Sequence, residues 1–314
     1  ESYLVSFYGR LNYSFASRYL FTFTMRADGS SKFAKENRWG YFPSAAFAWN
    51  IAQESWLKDS EAISALKFRL GWGVTGQQEF GDNYAAIKFS TISQDPTTQY
   101  PLGPEFYYPV RPNAYNESLK WEETTTYNAG LDFGFINGRI NGSVDAYYRK
   151  TNDLISYVNV PLGANFSNYV YQNIGAMENR GVEVSLNFIP VETPDWNLQI
   201  GLNGTWQQTV LTELPSAYID LGGAGGGTGN TVQRHQVGYA PYTFYVWEQV
   251  YDENGNPIQN AVVDRNQDGQ ITNEDRYMSN KSPNPDFFYG VSLKLAYKNW
   301  DFGFNGHGAV GNYM

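Results

Sequence analysis

Apolar and polar residues take turns along much of this chain. Val5, Phe7, Gly9, Leu11, Tyr13 and Phe15 alternate with Ser6, Tyr8, Arg10, Asn12 and Ser14. Leu66, Phe68, Leu70, Trp72 and Val74 do the same against Lys67, Arg69, Gly71, Gly73 and Thr75. A period of two sends the two sets to opposite faces of a strand. The pattern predicts ten strands, at 4–15, 19–28, 42–51, 65–75, 124–135, 139–149, 180–189, 196–207, 286–297 and 300–310. Most are close to the ~9–11 residues that a tilted strand needs to cross a bilayer, and longer than the ~5–6 usual in soluble domains.

The connections alternate as well. Four are tight: Ala16-Ser17-Arg18, Ile136-Asn137-Gly138, Pro190 to Asp195, and Lys298-Asn299. A fifth, 52–64, is longer and predicts a helical turn at Glu54-Ser55-Trp56-Leu57. Asn137-Gly138 is the residue pair that a type I′ turn prefers. Between these joins lie the gaps 29–41, 76–123, 150–179 and 208–285. Short turns on one side and long loops on the other are the pattern of outer-membrane barrels.

The two faces agree with that reading. Near the short turns the apolar set holds Phe15, Tyr19, Phe133, Phe135, Phe188, Trp196, Tyr297 and Trp300, as an interfacial girdle requires. A second group, Tyr127, Tyr148, Trp206, Phe287 and Tyr289, lies near the other strand ends. The opposite set carries Arg10, Arg26, Lys67, Arg69, Asp132, Asp145, Arg149, Glu183, Lys294 and Asp301. So many charges of both signs suit a wet lumen and would destabilise a dry core. The expected fold class is therefore all-β, a transmembrane antiparallel β-barrel with about ten strands in this chain. A soluble sandwich or propeller is the rival architecture; strand length, aromatics at two heights and four long loops weigh against it.

Composition narrows the alternatives. Tyr (25), Phe (20) and Trp (9) are abundant, as interfacial belts need. Mean hydropathy is −0.49, and no apolar run approaches the ~18–20 residues of a spanning helix. A net charge of −9 argues against a nucleic-acid partner. With no cysteine, disulfides and thiolate metal sites are excluded. Glu1 leads almost directly into a strand with no leader, and the chain stops just past another. It reads as an internal piece of a longer protein.

Several motifs recur in a telling order. Residues 19–49 read YLFTFTMRADGSSKFAKENRWGYFPSAAFAW, and 66–77 read LKFRLGWGVTGQ. They are followed by LKWEETTTYNAGLD (119–132), VDAYYRKTNDLI (144–155), NIGAMENRGVEV (173–184) and DRNQDGQITNED (264–275). In this series the chain resembles the barrel of the SusC/RagA family of TonB-dependent outer-membrane transporters over essentially its whole length. The resemblance implies a barrel of about 22 strands with a plugged lumen, residues 1–314 forming part of it and 208–285 a long extracellular loop. It also implies TonB as energy source, acting through regions outside these residues, a SusD-like surface lipoprotein as lid, and oligosaccharide or oligopeptide cargo. Outer-membrane lipid is the expected surrounding. The rivals are a passive porin or structural barrel, and an outer-membrane enzyme or adhesin.

Within the long loops, Tyr107, Tyr108, Tyr169, Tyr171, Tyr245 and Trp247 are the candidates for contact with cargo or partner. Rings beside Asn, Gln and Asp suit a sugar-binding or peptide-binding mouth; the competing role is packing among the loops. Asp264, Asn266, Asp268, Gln270 and Asp275 fall at positions 1, 3, 5, 7 and 12 of a calcium loop, with Gly269 at the sharp turn. Position 12 is Asp where the longer Glu is usual, and no amphipathic helix flanks the loop. Gly222 to Gly227 reads as a flexible tip. Catalysis has little support: the two histidines, His235 and His307, stand far apart in sequence, and no compact nucleophile motif is present. The expectation is a non-enzymatic protein.

Overall fold

The computed structural model describes residues 2–92, 95–161, 163–221 and 231–313. The Gly222–Gly227 run lies outside the described residues. Ten antiparallel strands form one large sheet: β1 Leu4–Phe15, β2 Tyr19–Ser30, β3 Trp39–Asn50, β4 Ile63–Gln77, β5 Glu122–Phe135, β6 Ile140–Asn152, β7 Ala176–Glu192, β8 Trp196–Glu213, β9 Phe287–Tyr297 and β10 Trp300–Val310. Their order in the sheet is their order in the chain. All ten predicted strands are present, and β1 and β10 have the expected bounds.

Most of the others run further than the alternation indicates, and chiefly toward the long loops. β2 continues through Gly29 and Ser30, β4 through Gly76 and Gln77, and β8 to Glu213. Ladder pairing continues after the apolar face has ended, because backbone groups still need partners where side chains have turned polar.

Register confirms which residues share a face. Arg10 pairs with Thr24, Asn12 with Thr22, and Leu11 with Phe23. Along β8 and β9, Leu198 faces Leu295 and Leu202 faces Val291, while Gln199 faces Lys294. On β9 and β10, Lys294 faces Gly303 and Leu293 faces Phe304. Polar therefore meets polar across the ladder, and apolar meets apolar.

The hairpin after β5 differs from expectation by one residue. The left-handed pair is Ile136 and Asn137, at φ 53° and 52°, with Gly138 third at φ 82°. Gly138 N–H donates to the Phe135 carbonyl at 3.1 Å. The β1–β2 turn is built alike: Ala16 and Ser17 lie at φ 53° and 55°, and Arg18 N–H donates to Phe15 O at 3.1 Å. Strand register fixes Phe135 at the strand end, so the turn begins at Ile136 despite its poor fit to a left-handed position. In 52–64, the regular turn is a 3-10 helix at Ile51–Gln53. Residues 54–58 follow as a turn in which Glu54 O accepts from Leu57 and Lys58 N–H groups.

The chain forms two compact units. The first comprises Glu1–Ala48, Leu70–Tyr127 and Arg149–Ala176; the second comprises Trp49–Arg69, Asn128–Tyr148 and Met177–Met314. In the first, Phe33, Phe42, Ala85, Ala86, Leu119 and Trp121 make a buried cluster with Val74, Phe80, Ile155 and Tyr171 against it. The Trp121 ring lies 5.3 Å from both Phe33 and Phe42, and its Nε1 donates to Arg38 O at 3.1 Å. In the second, residues 218–278 hold a four-stranded sheet of Tyr218–Leu221, Gln233–Gln236, Thr243–Val246 and Tyr277–Met278. These short strands lack a readable alternation, so the sequence pattern passes over them.

Candidate functional site

The polar face of the second unit holds a compact ionic group. Arg69 of β4 donates from Nε to Asp132 Oδ2 at 2.9 Å and from Nη2 to Asp132 Oδ1 at 2.7 Å, a bidentate pair with β5. Its Nη2 also lies 2.8 Å from Asp145 Oδ1 on β6. Gly130 makes the space: a Cβ there would stand 2.2 Å from Asp145 Oδ1 and 2.7 Å from Arg69 Nη2. In the first unit, Arg10 Nε donates to Thr24 and Thr22 Oγ1 to Asn12 on the same kind of face.

The apolar set points the other way and is open. Leu11, Phe21, Leu70, Val144, Leu202 and Phe302 are all exposed. No helix among the described residues is long and apolar enough to cross a membrane.

The long loops of the first unit form a cavity of about 350 Å3. Its aromatic walls are Phe89, Tyr115, Tyr157, Tyr169 and Tyr171, with Asp82, Thr91, Asn113 and Ser167 supplying polar groups. The hairpin Ile155–Asn159 with Tyr169–Asn173 sets the rings, since Tyr157 pairs directly with Tyr171. Tyr157 lies 5.5 Å from Tyr169, nearly parallel, and 4.9 Å from Tyr171. Asn residues tie the walls down: Asn116 Nδ2 donates to Tyr171 O and Asn165 Nδ2 to Tyr115 O, both at 2.8 Å. Lys88 Nζ lies 5.2 Å from the Tyr115 ring centre, and a hydrogen bond to the Tyr115 hydroxyl raises the lysine's pKa.

The candidate rings therefore divide. Tyr169 and Tyr171 meet at the cavity, and Tyr171 also touches the buried cluster through Phe80 at 5.2 Å. Tyr107 and Tyr108 lie exposed at and beyond the small hairpin of Tyr100–Leu102 and Glu105–Tyr107. Tyr245 and Trp247 lie in the second unit, where Tyr245 OH donates to Asn273 O at 3.2 Å and Trp247 Nε1 to Thr272 O at 2.7 Å. Asp82, Thr91, Asn113 and Ser167 of the cavity carry no local sequence signal. Each is an ordinary loop residue by type, and only the fold assembles them.

The five calcium-loop candidates adjoin one another at 264–275. Gly269 N–H donates to Asp264 Oδ2 at 2.8 Å, Asp268 N–H to Asn266 Oδ1 at 3.0 Å and Gln270 N–H to Asp268 Oδ1 at 2.7 Å. Among the described residues no three His, Cys, Asp or Glu side chains form a ready-made metal cluster. Any ion here would depend on amide and carbonyl oxygens as well.

Comparison with known proteins agrees with this arrangement. Residues 1–307 match the family "TonB dependent receptor-like, beta-barrel". Over 99% of its length the chain is 50% identical to TonB-dependent receptor SusC of Bacteroides thetaiotaomicron, covering 31% of that protein. It is 33% identical to TonB-dependent receptor P3 of Formosa agariphila over 99% of its length, covering 32% of that relative. The solved structure of the RagAB peptide transporter superimposes on 99% of the chain with a TM-score of 0.81 at 26% identity, using 34% of that chain. The chain thus spans about a third of the length of the curated relatives it matches. With strands, faces and loops in accord, the chain belongs to the TonB-dependent receptor-like β-barrel family, as a SusC/RagA-type member.

Proposed function

We propose that the full-length protein imports oligosaccharides or oligopeptides across the bacterial outer membrane, driven by TonB and working with a SusD-like surface lipoprotein. The observation that carries this reading is the 50% identity to a TonB-dependent receptor, SusC, sustained over 99% of the chain. The faces support it physically: an apolar belt suits lipid and a charged face suits a hydrated passage. The tyrosine-lined cavity would meet cargo. Flat rings flanked by Asp82, Thr91, Asn113 and Ser167 fit the apolar faces and hydroxyls of sugars, so an oligosaccharide is the favoured cargo. The relative called a peptide transporter keeps oligopeptides as the second class to test.

The test is uptake of labelled oligosaccharides and oligopeptides by cells carrying the full-length protein, with and without TonB. Uptake of one class that stops without TonB is the expected outcome. Uptake that persists undiminished without TonB would make the protein a passive porin. Mass measurement of the protein purified in mild detergent should show a co-purifying lipoprotein. Tyr169→Ala, in the cavity wall, should weaken cargo binding about tenfold.

A further inference from the structure

The 264–275 loop holds negative charge that its own contacts leave unbalanced. Asp275 is wholly buried, and its carboxylate accepts from Thr272 N–H at 2.7 Å, Arg265 N–H at 2.9 Å and Asn266 N–H at 3.4 Å. Asp264 Oδ2 accepts from Gly269 N–H. Its other oxygen, Oδ1, is buried and meets no donor. The Asp264 carboxyl stands within hydrogen-bond reach of Asp275, so two acids share one place. Among the described residues no Lys, Arg or His forms an ion pair with either. Arg265, the basic residue next in sequence, is turned to Glu248. A buried carboxylate oxygen without a donor, beside a second carboxylate, is unfavourable unless a cation or a proton joins them.

We propose that this loop binds a Ca2+ ion through side-chain oxygens of Asp264, Asn266, Asp268 and Asp275 and the carbonyl of Gln270. The donor set is all oxygen, which suits a hard cation and disfavours zinc or copper. An irregular loop offering five protein oxygens matches the loose, many-ligand shell of Ca2+ better than the strict octahedron of Mg2+. Gly269, at φ +81°, supplies the sharp turn that aims its own N–H at Asp264 Oδ2.

The ion would also act on its surroundings. Asp275 ends the turn Asn273–Asp275, capped by Thr272. Tyr245 and Trp247 hang their polar tips on the carbonyls of Asn273 and Thr272, and the Arg276 guanidinium lies 4.4 Å and 4.9 Å from those two rings. Arg234 continues the stack, between Tyr245 at 3.5 Å and Tyr218 at 3.7 Å. Bound Ca2+ would therefore fix the turn that anchors this ring-and-guanidinium column. The inference is independent of which cargo, if any, the protein carries.

The test uses the full-length protein in detergent, stripped with chelator and titrated calorimetrically with Ca2+. The expected result is a site that Asp264→Asn with Asp268→Asn weakens by ~100-fold or more. Asp268 is exposed, so Asp268→Asn alone preserves folding and should still weaken binding by ~10-fold. Amide hydrogen exchange should slow on Ca2+ addition in 264–276 and at Tyr245 and Trp247. Wild-type protein that takes up no Ca2+, or variants that titrate like it, would overturn the proposal. Binding without added protection at 245–247 would overturn the coupling to the ring column.

Discussion

Around Trp121, rings and aliphatic chains sit inside, and the one charge drawn in beside them, Lys32 over the Phe80 ring, is paired with Glu79. Around Arg69 the order is reversed: Asp132 and Asp145 gather on one face of the strands, while Leu70 and Val144 on the other are exposed. Both regions follow the same rule of matching side chain to solvent. What changes is the surrounding each exposed surface suits, water outside the loops and an apolar phase outside the sheet. Different changes should therefore do the damage in the two places: lost apolar volume in the first, and in the second a charge added to the apolar face or a broken ion pair on the polar one.

The largest effect should come from Trp121→Ala, which empties the loop cluster and should cost it ~3–5 kcal/mol. Limited proteolysis should then cut the 76–123 loop while the strands stay protected. Next is Leu70→Arg, which places a charge against lipid at ~2–4 kcal/mol. Unchanged folding into detergent or lipid would count against the assignment of faces. Smaller is Gly130→Ala, whose methyl would displace Arg69 from its two partners at ~1–2 kcal/mol. Thermal unfolding should register that loss, and Ala129→Gly on the opposite face should not reproduce the ionic part of it. Ile136→Asn should work in the other direction, gaining ~0.5–1 kcal/mol by relieving a branched residue at φ 53°.

A pH effect should be the mildest and most local. His235 is half-buried, its Nε2 has no hydrogen-bond partner, and burial holds its pKa below the ordinary value near 6.5. The folded loop thus prefers the neutral ring, and its stability falls as pH drops below about 6.5, where the unfolded segment takes up the proton first. Hydrogen exchange across 233–236 should quicken there, and His235→Gln should flatten the response.

The strands are legible because each carries one apolar and one polar face, which writes a period of two into residues such as 66–75. The left-handed turn starts at Ile136, one residue before the Asn-Gly pair, since the pair reports preference and strand register decides. Loop structure was hidden for a different reason. Phe33, Phe42 and Trp121 come from three separate segments, and nothing local in any of them announces a common core. The cavity shows the same limit: its tyrosines stood out by type, but Asp82 and Asn113 acquire a role only through the pairing of Tyr157 with Tyr171. The 264–275 loop is the exception, for its oxygens are spaced within one short segment.

The hollow at Gly130 also decides the charge of the strand face around it. With no side chain beneath it, the Arg69 guanidinium lies between two carboxylates, its charge used sideways within the sheet. One guanidinium against two carboxylates leaves the patch a net negative charge, held in place by three strands. Such a patch would hold water and small cations more readily than anions.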